Sequence, residues 1–300
     1  MSSVLYDIPG PRARARNLVI GVVTVVAIIG LMVYVYFQFD RSGQFEPRLW
    51  QQFQFRSIQL QILDGLLATL QAAGIAAVLA LLFGAFFAAG RLSDHLALRV
   101  PSVWVVEIFR AIPLLILMFF LFYGLQISSL WAVVFGLTLY NGSVLAEIFR
   151  AGILAVPRGQ SEAAYALGMR KTQVTVSILL PQAVRSMLPS IVSQLVVLLK
   201  DTALGFIITY PELLDVGKEI GGRLVFGFPY VPTYLIIAAI YISMCMFLSW
   251  FAHWLERRMR EGGRKKGIPV VPLPLDPDAG ADQVLATGGA AAGEAGTQNN

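Results

Sequence analysis

The chain has 300 residues, 57% of them hydrophobic and only 14% charged, whereas soluble domains run at roughly 45–50% apolar and about 25% charged; this much apolar surface does not fit inside one water-soluble core. The net charge of +5 comes from basic residues that bracket apolar runs, with no basic stripe interleaved with aromatics, which argues against a nucleic-acid surface and for membrane flanks. A single cysteine, Cys245, and two widely separated histidines, His95 and His253, leave no intrachain disulfide framework and no Cys/His metal spacing.

The first apolar run, Asn17–Phe39, holds 23 uncharged residues between Arg16 and Asp40. At about 1.5 Å per residue it crosses the hydrocarbon with some tilt. Arg12, Arg14 and Arg16 precede it as they would a secretory signal, but the apolar part is too long and no small-residue cleavage site follows. It reads as an uncleaved span (17–39) behind a short segment, 1–16. A second span is expected at Gly65–Gly90. The uncharged stretch Ala111–Ala146 is 36 residues long, too long for one membrane helix. Gly, Gln and two Ser within Gly124–Ser129 divide it into a third span near Pro101–Tyr123 and a fourth near Leu130–Arg150. Span five is expected from about Met187 to Tyr210, and span six over about Thr233–Leu255. The fold class is therefore an all-α polytopic membrane protein with six transmembrane helices. Asn141-Gly-Ser matches a glycosylation pattern but falls inside a span, where it has no meaning.

An even number of spans places both termini on one side. Sixteen of the 23 Lys and Arg residues fall in segments on that side and five on the other, so the positive-inside rule assigns both termini to the cytoplasm. The tail, 263–300, begins within the basic cluster Arg257–Lys266, and from 268 onward it is rich in Pro, Gly, Ala and Asp with no helical period. A segment of that composition buries too little surface to offset its ordering entropy, so a disordered cytoplasmic tail is expected.

Among the segments assigned to the cytoplasm, Ala151–Val184 has an unusual pattern. Ser161 can cap a short helix beginning at Glu162, with the acid at its positive end. Ala163, Ala164, Tyr165, Ala166 and Leu167 continue it, and Gly168 supplies the left-handed turn that ends it. A second helical stretch, Lys171–Leu180, is expected to stop at Pro181. On composition alone this is a surface helix between spans. The spacing says more: Glu162-Ala163-Ala164, three residues, Gly168, nine residues, Ile178, one residue, then Leu180-Pro181 resembles the EAA loop of ABC importer permeases. Flanking segments narrow the resemblance to the polar amino-acid branch. They are Gly65 with Thr69-Leu70, Phe109-Arg110-Ala111-Ile112-Pro113-Leu114, Ala146-Glu147-Ile148-Phe149-Arg150-Ala151-Gly152-Ile153, Gly159-Gln160 and Lys200-Asp201-Thr202-Ala203-Leu204. Within that branch the line is most similar to glutamate-uptake permeases of actinobacteria.

The resemblance implies an importer permease domain over 58–262, a five-helix core to which the first span is an addition. It also implies a coupling helix, carried by Glu162, Ala163, Ala164, Leu167 and Gly168, that docks on a separate ATPase subunit. The implied partners are two ATPase subunits, a second permease chain (the same or related), an extracytoplasmic substrate-binding protein and an amino acid. ATP and magnesium would be bound by the ATPases, and no cofactor or catalytic residue by this chain, which would sit in the bacterial cytoplasmic membrane. In keeping with this the sequence has no phosphate-binding G-x-x-x-x-G-K-[ST]; Gly217-Lys218 lacks both the upstream Gly and the Ser/Thr.

Ionisable residues inside spans are costly, about 2.5–3.5 kcal/mol or more on insertion scales, and are candidates for function. Asp64 reads as interfacial. Glu107 and Arg110, three apart on one helix face, form either a structural pair or a gate; Glu147 and Arg150 sit beside the coupling loop. Lys200 falls past mid-membrane, with Asp201 adjacent, and is either pathway lining or a buried structural charge. By the resemblance, Lys200, Asp201, Arg110 and Thr69 are the candidate substrate-pathway residues. The competing class is an ion-gradient-driven transporter or channel. It would need no ATPase, would show inverted repeats or interrupted helices, and would leave the EAA-like loop unexplained.

Overall fold

A computed structural model describes residues 10–264. Most of the expected N-terminal segment, and all but the first two residues of the expected tail, lie outside the described residues. The chain divides into two units at Arg257/Arg258, and the described part of the second is the end of one helix. Among the described residues every regular element is helical. Five helices are long and apolar enough to cross a membrane, and the number is six if one sharply bent pair is counted as a single span.

Helix α1 (Pro11–Arg41) has Pro11 in its first turn and is exposed along its whole apolar length, a surface that only lipid or another membrane helix can cover. A short helix, α2 (Pro47–Gln51), leads to α3 (Arg56–Arg91). One face of α3 is built from small residues: Gly65, Thr69, Ala72, Ala76, Ala80, Gly84 and Ala88 are buried at the three- and four-residue spacing that lines a helix face. That face packs along α6 (Ser129–Leu154). A Cβ added at Gly84 would stand 2.9 Å from Leu145 Cβ and 3.0 Å from the Gly142 carbonyl oxygen, so glycine sets how closely the two backbones approach. Small residues are what two apolar helices need where lipid removes any hydrophobic drive to associate.

The third span differs from the sequence expectation. Instead of one helix over Pro101–Tyr123, α4 (Leu96–Ala111) and α5 (Leu114–Phe119, widening to a π turn through Gly124) meet at a 99° bend. The cause is Pro113, which forces Ile112 into extended backbone (φ −79°, ψ 125°) and itself starts α5. The break expected at Gly124–Ser129 is present, and α6 begins at Ser129.

Helix α7 (Arg158–Ala166) is followed by α8 (Lys171–Val174), a π turn (Thr175–Leu179) and α9 (Leu180–Asp201), which tightens to a 3₁₀ segment, Thr202–Ile208. Pro181 does not end the helix as expected. It lies in the first turn of α9, where its missing N–H is tolerated, and the wide turn before it accommodates the ring, so Lys171–Ile208 runs as one span. Helix α10 (Leu213–Gly221) and α11 (Tyr230–Arg264) complete the bundle.

Candidate functional site

The loop between α6 and α9 folds into a helix and an elbow, at slightly different bounds from those expected. Helix α7 starts four residues before Glu162, with Pro157 as its cap residue, and Ser161 does not cap it: its hydroxyl donates to the Arg158 carbonyl from inside the first turn (2.8 Å). The end matches expectation. Gly168 has φ +77°, its N–H donates to the Tyr165 carbonyl (2.9 Å) and the Met169 N–H reaches back to the Ala164 carbonyl (3.2 Å). These paired bonds satisfy carbonyls that the last turn would leave open, and they require the left-handed conformation that glycine adopts without strain. Beyond the elbow, Gln173 Oε1 accepts the Arg170 N–H (2.9 Å) and starts α8.

The helix rests on the α8 arm through a face that includes buried Ala164. Glu162, Ala163 and Gly168 are exposed on its other sides. Leu167, at its end, is 83% exposed, and Tyr165 beside it is also exposed. A large apolar side chain presented on a rigid, capped helix outside the bundle is a feature that a second protein can bury.

Above the loop, charges that the sequence offered as two local pairs form one cluster across three helices. Arg91, at the end of α3 and only 10% exposed, reaches Glu147 on α6 (3.1 Å) and Glu107 on α4 (3.4 Å). Glu147 also receives Arg150 (2.5 Å), and Glu107 lies 3.6 Å from Arg110. Arg91 thus fastens the ends of α3, α4 and α6 together near the loop. Its two partners are 16 and 56 residues away in sequence, and no local pattern announces them. A second tie joins the loop itself to the α3–α4 corner. The Lys171 ammonium donates to Asp94 and to the Leu92 carbonyl (3.2 Å). That hydrogen bond, then the ammonium's charge, holds the Asp94 carboxyl below the usual carboxylate range.

The pathway candidates do not gather in one place. Arg110 belongs to the charge cluster near the loop between α6 and α9. Lys200 is exposed and lines a groove of about 240 Å³ with Val192, Ser193 and Val196 of α9 and Ser249 of α11. Asp201 turns the other way, half-buried beside Asn141 of α6, which also accepts Gln194 Nε2 (2.6 Å). Thr69 is fully buried at the far end. Its hydroxyl donates to the Gly65 carbonyl and accepts the Leu213 N–H, both at 3.0 Å, tying α3 to α10. Close by, Glu212 is also fully buried; one oxygen accepts the Asp215 N–H (2.8 Å) and the other the Tyr241 hydroxyl (2.5 Å). No local pattern marks this acid, because its burial comes from helices brought together only by the fold.

A family model described as the binding-protein-dependent transport system inner membrane component matches residues 80–261. The chain belongs to this family. This permease is 42% identical over 250 residues to the glutamate transport system permease protein GluD of Corynebacterium glutamicum, covering 80% of this chain and 90% of that one. It is 36% identical to a probable glutamine ABC transporter permease protein, GlnP, of Bacillus subtilis (65% and 92% covered). Among solved structures it is similar to a chain in the crystal structure of an amino acid ABC transporter with histidines, with TM-score 0.62, 31% identity and coverage of 67% and 94%. The resemblance read from the motifs is thereby borne out, and the several apolar helices are those of a multi-pass inner-membrane component.

Proposed function

We propose that this permease is the membrane-spanning subunit of an ATP-driven, binding-protein-dependent importer of polar amino acids, with glutamate as substrate. Supporting the substrate class are the glutamate, glutamine and amino-acid permeases to which the chain is similar. The observation that carries the mechanism is the capped helix α7 with Leu167 and Tyr165 exposed on it. In this reading Glu162, Ala163, Leu167 and Gly168, all exposed, seat in a cleft on an ATPase subunit, while buried Ala164 holds the helix on its own α8 arm. The ATPases bind ATP and magnesium, a second permease chain completes the pathway, and an extracytoplasmic binding protein delivers the amino acid. The coupling-loop end faces the cytoplasm. Lys200 meets substrate from its groove and Arg110 stands at the loop end of the pathway, whereas Asp201, turned toward α6, and Thr69, fully buried between α3 and α10, hold the pathway helices in place.

The bend at Ile112–Pro113 is a feature that a gradient-driven carrier would also show, but such a carrier leaves the exposed α7 with nothing to engage. The test is reconstitution with the ATPase subunits, binding protein and partner permease in proteoliposomes. ATP-dependent glutamate uptake that vanishes without binding protein is expected. Uptake driven by an ion gradient with no ATPase present would sink the proposal.

A further inference from the structure

Any motion of α7 must reach the pathway helices, and the corner between α3 and α4 is where the structure lets it do so. We propose that Lys171 is a positioning residue that links the coupling loop to α3, so that displacement of α7 is delivered along α3 to the far end of the bundle. The proposal rests on the coupling reading above.

Four observations carry it. Lys171 is the first residue of α8, three positions past the Gly168 elbow, so rotation of α7 reaches it before any part of α9. Its ammonium holds the Leu92 carbonyl, the cap of α3, and the Asp94 carboxylate two residues on; a cation at a helix C-terminus complements both the open carbonyls and the dipole. Beneath this contact α8 is not packed tightly on α3. A cleft of about 660 Å³ lies there, floored by Ala85, Ala88, Phe149 and Met187, with Lys171 and Asp94 at its rim. The polar contact therefore spans a gap where side-chain packing would otherwise carry a push. Finally, α3 is one continuous helix of 36 residues. In its N-terminal half the Ala68 carbonyl accepts the Tyr210 hydroxyl and the Thr69 hydroxyl accepts the Leu213 N–H. One rigid element thus joins the coupling loop to the α9–α10 corner.

Lys171 and Asp94 are 48% and 76% exposed, so their pair adds little to stability. A variant should fold and assemble yet transmit poorly, and this separates positioning from a structural role.

Because spatial intermediacy alone does not establish a route, the test measures transport and hydrolysis together. The complete complex, in proteoliposomes with binding protein, is compared for wild type, Lys171→Met, Lys171→Arg, Asp94→Asn and Lys171→Met/Asp94→Asn. In Lys171→Met the ATPase subunits should co-purify normally and hydrolysis should still respond to binding protein, while amino acid moved per ATP falls about fivefold or more. Lys171→Arg should keep most of that ratio. Lys171→Met/Asp94→Asn should be no worse than Lys171→Met, as expected for two groups in one contact. A wild-type ratio in Lys171→Met overturns the proposal. Loss of the ATPase subunits from Lys171→Met overturns it as well, because the residue would then belong to the docking surface. Leu167→Asp keeps the two ideas apart. If it still binds the ATPases and responds to binding protein, the coupling reading itself fails. If it loses them while Lys171→Met transports normally, only the Lys171 link falls.

Discussion

The Tyr241 hydroxyl donates to Glu212 at 2.5 Å, joining the start of α10 to the middle of α11 around a carboxyl group with no solvent exposure. Burial pushes the Glu212 carboxyl above its ordinary range, against the lowering effect of the N–H and O–H groups that bond it. A group whose folded pKa is raised contributes stability that is fully present below its unfolded pKa and lost as pH rises through the folded value. Thermal stability of the purified permease should therefore decline as pH climbs from the ordinary glutamate range upward, and Glu212→Gln should flatten that decline. Tyr241→Phe strips one oxygen of its donor inside the bundle and should cost about 1–3 kcal/mol. Identical pH profiles for wild type and Glu212→Gln would show that Glu212 does not set this dependence.

The elbow after α7 makes a second prediction. Gly168 has φ +77°, which a β-branched side chain reaches only at a cost of about 1–2 kcal/mol or more. No atom lies within 4 Å of the position where its Cβ would be, so Gly168→Val acts on the backbone alone and re-aims α7 without a clash. Uptake should drop and binding protein should no longer stimulate ATP hydrolysis, while the amount of permease in the membrane is unchanged. Normal stimulation in Gly168→Val would remove the coupling role from this loop.

Topology can be tested with two cysteines placed in a Cys245→Ala background. Ser42 follows α1 and His95 lies in the α3–α4 corner, and both are exposed. With α3 between them they should face opposite sides of the membrane. An impermeant thiol reagent should label Ser42→Cys in intact cells and His95→Cys only after permeabilisation. The reverse pattern would invert the orientation read from the basic residues. Ser42 serves better than Gly43, whose φ of +71° would strain a cysteine.

Features written locally were legible in the sequence. Long uncharged runs gave the membrane helices, and the spacing Glu162–Gly168 gave α7 and its left-handed stop. Local rules erred where a neighbouring residue changed their meaning. Pro113 breaks the third span within an uncharged run that begins at Ala111, and Ile112-Pro113 is a dipeptide whose steric restriction marks the break. Pro181 reads as a stop, but a π turn ahead of it lets the helix continue. Ser161 suits a cap, yet the extended backbone at Pro157 starts the helix earlier. Long-range partners left no trace in the order of residues. Arg91 reads as one more basic flank until Glu107 and Glu147 meet it, and Thr69 reads as part of a motif until Leu213 is found on its hydroxyl.

Lys200 and Asp201 make the last prediction, because adjacent residues on α9 face different surroundings. Lys200 is open to a groove between α9 and α11, whereas Asp201 is half-buried toward α6. A lysine so far along a membrane span is retained at substantial cost unless it serves transport. Every free amino acid carries an α-carboxylate, and an acidic one carries a second, so a fixed ammonium in that groove would hold the whole substrate class without selecting among side chains. A charge-assisted contact in a partly desolvated site contributes about 1.5–3 kcal/mol. Lys200→Met keeps the apolar stem and removes the charge. Uptake by the reconstituted complex should fall roughly tenfold or more, at about 1.4 kcal/mol per decade, with assembly and basal ATP hydrolysis largely retained. Lys200→Arg should hold more activity than Lys200→Met, because it restores a cation of similar reach. Wild-type uptake by a normally assembled Lys200→Met complex would make the residue a structural charge and move the search for a carboxylate partner to another part of the pathway.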